Sequence, residues 1–199
     1  PLYEHGYGVF KNHQLVIGAD HVLWFDYPLY HTRNNEQYIL NLLRDDGDAL
    51  AIAHPDLRGA YSLEDMAYLT GYDLIEGLNH IWPSMDHWDA ALSAGKPVFL
   101  ISNDDAHDLG NPFEYGVTNT IVNVDEVTSR NVTDALKQGE SYGYLPYIKT
   151  KNTINYKLEH LQRFPILRGV EMRGDTMHIT TQDAIRDIDL IGQNGKELV

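Results

Sequence analysis

The chain has 199 residues, with 15 Lys and Arg against 29 Asp and Glu and a formal charge of −14. A surface of that sign repels a polyanion, which excludes nucleic-acid binding through a basic patch, and 43% hydrophobic residues exclude a disordered or collagen-like chain. Cys is absent, which excludes disulfide scaffolds, thiolate metal sites and thiol nucleophiles, and no apolar run reaches the about 20 residues of a membrane helix.

Val22-Leu23-Trp24-Phe25 reads as a strand, followed by a helix capped at Asn34 or Asn35 with Ile39, Leu42 and Leu43 at helical spacing. Ala49 to Ala53 is a second strand. Pro55 ends it, because Pro cannot donate to a ladder, and leaves His54 at its carboxyl end. Ser62 opens a helix, with Asp65 completing a capping box. A strand from Asp73 to Leu78 follows, then a helix capped by Asp86 and stopped by Gly95. Pro97 to Ile101 is another strand, running into Ser102-Asn103-Asp104-Asp105-Ala106-His107. A last round gives a strand from Val117 to Val124 and a helix from Ser129 to Gln138, ended by Gly139. Beyond Tyr144, Gly174-Asp175 and Asn194-Gly195 stand between alternating apolar residues as hairpin turns. The expected domains are therefore a β/α portion over 1–148 and a β-rich appendage over 149–199.

Strands separated by helices are expected to run parallel, so a β/α barrel or an open α/β sheet fits the pattern, and chemistry gathers at the carboxyl strand ends. His54 stands at one such end. Glu76, Asn79 and His80 stand at the next, Asn103, Asp104, Asp105 and His107 at another, and Tyr3-Glu4-His5 near the start, followed by His13. Each alone has an ordinary reading as a cap or solvated residue. Four successive ends carrying imidazole or carboxylate point instead to a metal site of Zn, Mn or Fe type, the ten His of a Cys-free chain supplying the nitrogen ligands. Trp24, Trp82 and Trp88 read as packing residues.

Tyr3-Glu4-His5, Ala53-His54-Pro55, Ile75 to His80, Asn103 to His107 and Ala135 to Gly139 occur in an order that resembles the PHP (polymerase and histidinol phosphatase) family of metal-dependent phosphoesterases, over roughly residues 1–145. The resemblance implies an α/β fold, a distorted TIM-like (β/α)7 barrel, followed here by the β appendage. It implies two or three divalent ions in the mouth, with Glu4 as the bridging carboxylate, His54 and His80 on the second ion, Asp105 on the first and His107 on the third. His87 is the rival of His80, but the helix opened by Asp86 is expected to hold it. Arg58, four residues past His54, is the candidate for binding a substrate phosphate through its planar fork, with a surface salt bridge as the plain alternative.

The activity implied is hydrolysis of a small phosphomonoester by a metal-bound hydroxide. The alternatives are an accessory module without chemistry and a metal-dependent hydrolase of a non-phosphate bond. The His-x-His pair with which the family opens is absent from these residues. A barrel lacking its first strand, belonging to a longer protein, is the favoured explanation, and an eroded relative is the other. Such a chain, expressed alone, is expected to hold at most one ion tightly, to show little phosphatase activity and to self-associate through its open edge. More ions would require ligands from His5, His13, His21 or His31.

Overall fold

The structure is a computed structural model that describes residues 1–8, 12–29, 31–111, 114–145, 154–161 and 166–198. Five strands form the main sheet in the spatial order β1 (Leu2–His5), β2 (Gln14–Ile17), β3 (Ala49–Ile52), β4 (Leu74–Asn79) and β5 (Phe99–Asn103). β1 pairs antiparallel with β2, and β2 antiparallel with β3, whereas β3, β4 and β5 run parallel. The segment 6–13 between β1 and β2 is too short for a crossover helix, so those strands can only form an antiparallel pair.

Two expectations are corrected here. The sheet is open, with β1 and β5 at its edges, and among the described residues no barrel closes and only five α-helices occur, so the fold is not a (β/α)7 barrel. A barrel of that kind needs parallel neighbours throughout, and β1, β2 and β3 alternate in direction even though α1 (Arg33–Arg44) separates β2 from β3. Secondly, residues 22–25 form no strand. They run as a loop fixed to β1, where the Leu23 amide donates to the Tyr3 hydroxyl at 3.2 Å and His5 Nε2 meets the Phe25 carbonyl at 2.9 Å.

Each face of the sheet carries its own core. Val16, Leu50, Ile52 and Ile75 pack with Ile39, Leu40 and Leu43 of α1, with Met66 of α2 (Leu63–Tyr68) and with Ala91 of α3 (Met85–Ser93). Ala49, Ala51, Leu74 and Ile101 face the other way, toward Leu136 of α4 (Ser129–Gln138) and Val122 of β6 (Asn119–Val122). β6 pairs antiparallel with β7 (Ser141–Tyr144), and this ribbon attaches to β5 through Thr120, whose Oγ1 accepts from the Ser102 amide at 2.8 Å and donates to the Ser102 carbonyl at 2.8 Å.

The local signals locate most helix ends. Ser62 and Asp65 form the expected capping box, and Gly139 ends α4 with φ +73. α1 is capped by Thr32 rather than Asn34 or Asn35, and Ser84 rather than Asp86 precedes α3. β4 carries a bulge, because Glu76 pairs with Ile101 while Leu78 pairs with Ser102, leaving Gly77 as the extra residue. A Cβ at Gly77 would stand 2.2 Å from Leu100 Cδ1, so a larger residue there would require the Leu100 side chain to shift.

The expected domain boundary at 148/149 lies outside the described residues. Beyond it, α5 (Ile154–Leu161) is a helix that the β pattern did not indicate. The hairpins β8 (Leu167–Arg173) with β9 (Thr176–Thr181), and β10 (Ile191–Gly192) with β11 (Lys196–Glu197), turn at Gly174-Asp175 and Asn194-Gly195 as read. Trp88 packs on the core and donates to the Val98 carbonyl, but Trp24 is 77% exposed. Among the described residues no helix is long and apolar enough to cross a membrane.

Candidate metal centre

Direct cross-strand partners share a face, so Glu4, opposite Leu15, lies on the side of Leu15 and Ile17, while His5, opposite Gln14, lies on the side of Val16. His13 precedes Leu15 by two residues and is brought up beside Glu4. His54 follows β3 at the same edge of the sheet, since β3 runs antiparallel to β2. The three side chains meet there. Glu4 Oε1 lies 2.8 Å from His13 Nδ1 and 3.1 Å from His54 Nε2, and the two imidazole nitrogens are 3.4 Å apart.

That triangle has the size of a cation's coordination shell. With metal–ligand bonds of about 2.1 Å, neighbouring ligand atoms stand about 3.0 Å apart in octahedral and about 3.4 Å apart in tetrahedral geometry. Glu4, His13 and His54 form the group of ligand atoms that could hold a metal ion among the described residues. One carboxylate and two imidazoles suit Zn, Mn or Fe.

The electrostatics keep Glu4 ionised and favour a proton on His54. Burial works against ionisation of Glu4, but hydrogen bonds from His13 and His54 outweigh it and hold the carboxyl at about 2. His54, 2% exposed, is pushed down by burial, yet its bond to Glu4 and the negative charges of Glu76, Asp105 and Glu4 lift it above the ordinary histidine value. Glu76 is not the solvated residue of its plainest reading. It is 1% exposed, and burial keeps its carboxyl above the usual range.

Of the residues singled out in the sequence, Glu4 and His54 come together. His80, at the end of β4, is half-buried and stands outside the three-residue group, with Nδ1 unpartnered among the described residues. Asp105, at φ +53, joins through its charge on His54 and not through contact. His107 is 80% exposed, its Nδ1 2.7 Å from the Asp105 carbonyl. Asp104 accepts from the Val117 and Thr118 amides at 2.9 and 2.7 Å and from the Gly116 amide. Arg58 is exposed, at φ +54 in the 3-10 turn Leu57–Gly59. His87 is held in α3, its Nε2 3.0 Å from the Tyr61 carbonyl.

The third member of the group, His13, was named in the sequence only as a neighbour of Glu4 and as a reserve. Its signal lay in alternation, because position 13 shares a side with position 15, the direct partner of Glu4. The other reserve histidines have structural partners. His5 bonds Gln14 Oε1 at 2.8 Å, His21 pairs with Asp46 at 2.6 Å, and His31 pairs with Glu36. No family model, curated protein or solved structure matches the chain.

Proposed function

We propose that the chain serves metal-dependent hydrolysis of a small phosphomonoester, in the manner of the PHP family that its motifs resemble. The observation that carries this reading is the triangle of Glu4 Oε1, His13 Nδ1 and His54 Nε2, with edges of 2.8, 3.1 and 3.4 Å. A divalent ion there would supply a water of lowered pKa and a positive charge to offset the charge developing on a phosphoryl oxygen. Glu4 stays ionised across the physiological range, and His54 offers Nε2 to a cation once it has lost its proton. Arg58, one turn past His54, is the group we assign to the substrate's phosphate, which the rest of a −14 chain would repel. Asp105, whose charge already reaches His54, is the ligand we assign to a further ion.

The test is elemental analysis after equilibration with Zn or Mn, followed by assay of a panel of phosphomonoesters. One tightly held ion per chain and metal-dependent release of phosphate are the expected results. A chain that binds no ion, or that binds one and hydrolyses no phosphate ester, overturns the reading.

A further inference from the structure

A metal-binding imidazole is ordinarily oriented through its second nitrogen, which donates to a carboxylate or carbonyl and fixes the ring. His54 lacks that anchor. Its Nδ1 is buried without a hydrogen-bond partner among the described residues. The ring is nevertheless aimed at Glu4 and His13, and it projects from a backbone held at φ +25, where residues with a side chain are strained. Some neighbouring group must hold that conformation.

The structure assigns this work to Glu76. Ala51 pairs with Leu74 and Ile52 with Ile75 in the parallel ladder, so Glu76 lies just past the last paired level, where the chain of β3 turns into His54. Its Oε2 accepts from the His54 amide at 2.8 Å. Its Oε1 accepts from Asn79 Nδ2 at 3.0 Å, and Asn79 Oδ1 in turn accepts from the Ile81 and Trp82 amides at 2.8 and 3.2 Å. Glu76 and Asn79 are each 1% exposed, so neither bond is exchanged for water without cost. We infer that Glu76 is a positioning residue for the ion site, fixing the His54 ring through the main chain in place of the missing Nδ1 bond, with Asn79 as its brace.

This rests on the proposed ion site, and the experiment separates the two. Co2+ is titrated into the full chain and followed by its visible absorption, which reports coordination geometry, and affinity is measured by competition with a chelator. Wild type without a protein-bound Co2+ spectrum defeats the ion site itself. If wild type binds, Glu76→Met, which keeps the side-chain length but removes both acceptors, is expected to weaken binding by about 10- to 100-fold, the range for loss of an outer partner of a ligand, and to alter the spectrum. Glu76→Gln keeps a carbonyl oxygen for the His54 amide but sets its own NH2 against Asn79 Nδ2, so it is expected to regain most, though not all, of the affinity lost in the Met variant. A residue that merely supports the fold would lower the melting temperature of the metal-free protein and leave the affinity and the spectrum of the folded protein unchanged, and that result overturns the inference. Should the Met variant fail to fold, Asn79→Ala decides: removing the brace is expected to weaken Co2+ by threefold or more, and an unchanged affinity overturns the assignment.

Discussion

The carboxyl ends of β3 and β5 look alike in sequence, each an apolar run that breaks into acids and histidine, and they differ almost completely in space. At the end of β3, His54 is 2% exposed, held by its backbone to Glu76 and met by Glu4 and His13 from another strand pair. At the end of β5, His107 is 80% exposed, its ring bonded to the Asp105 carbonyl and its amide donating to Glu114 Oε2, while Asp104 is used up in tying down residues 116–118. What separates them is neighbours. β3 lies inside the sheet, so its end is walled by β2 and β4, whereas the end of β5 is flanked beyond β4 by the β6–β7 ribbon and residues 116–118, which bring Thr118 and Thr120 against it and no further carboxylate or imidazole. A histidine after a strand joins a group that could hold a cation when the adjoining strands also deliver donors.

The sharpest way to break this contrast is His54→Ala. Removing one of three ligands is expected to weaken Zn or Mn by more than the ~100-fold that loss of an outer partner can cost, as measured by chelator competition. A loss under tenfold would show that β3's end is no more a ligand site than β5's.

Acidity provides the next largest effect. A cation must displace the proton from His54, whose value is raised, so affinity is expected to fall by about tenfold per pH unit below that value. The metal-free protein should respond oppositely. Protonated His54 pairs with Glu4, a contribution fully present below the unfolded value of 6.5 and lost as pH rises through the raised folded one. Glu4, depressed from 4.5 to about 2, contributes above 4.5 and loses its contribution as pH falls toward 2. Denaturant midpoints without metal should therefore be highest between about pH 4.5 and 6.5, where both contributions hold. Parallel pH profiles for metal affinity and metal-free stability would refute the pairing.

At the end of β5, Asp104→Ala removes a charged acceptor from three amides and is expected to destabilise the fold by about 2 kcal/mol, read from urea denaturation, with metal affinity kept within about threefold. His107→Ala is the smallest change. It should shift stability by less than about 0.5 kcal/mol, as for a surface position, and leave binding at Glu4, His13 and His54 unaltered. A large loss of affinity in His107→Ala would make the two strand ends equivalent after all.

The legible parts of this molecule were those whose cause is local. α4 spans Ser129–Gln138 as read because a cap and a left-handed Gly139 bracket it, and His54 falls past β3 because Pro55 stops the strand. The illegible parts depend on distant partners. Val22 to Phe25 has strand composition, but Tyr3 and His5 bind its backbone as a loop. His13 has no local mark, since its value as a ligand comes from the register of β1 on β2. The barrel expected from motif order fails for the same reason: motif order along the chain is silent on the directions of β1, β2 and β3.

The bulge at Gly77 carries a consequence for how the sequence can vary. One extra residue separates Glu76, opposite Ile101, from Leu78, opposite Ser102, and so decides which face every later residue of β4 presents. Deleting Gly77 would let the ladder close regularly, move Asn79 into the place of Leu78 and withdraw the brace from Glu76. An exchange of side chains here disturbs one bond at a time, while a change of chain length by a single residue rotates the whole strand end away from the site. Mutational drift through this segment is therefore restricted in length before it is restricted in composition.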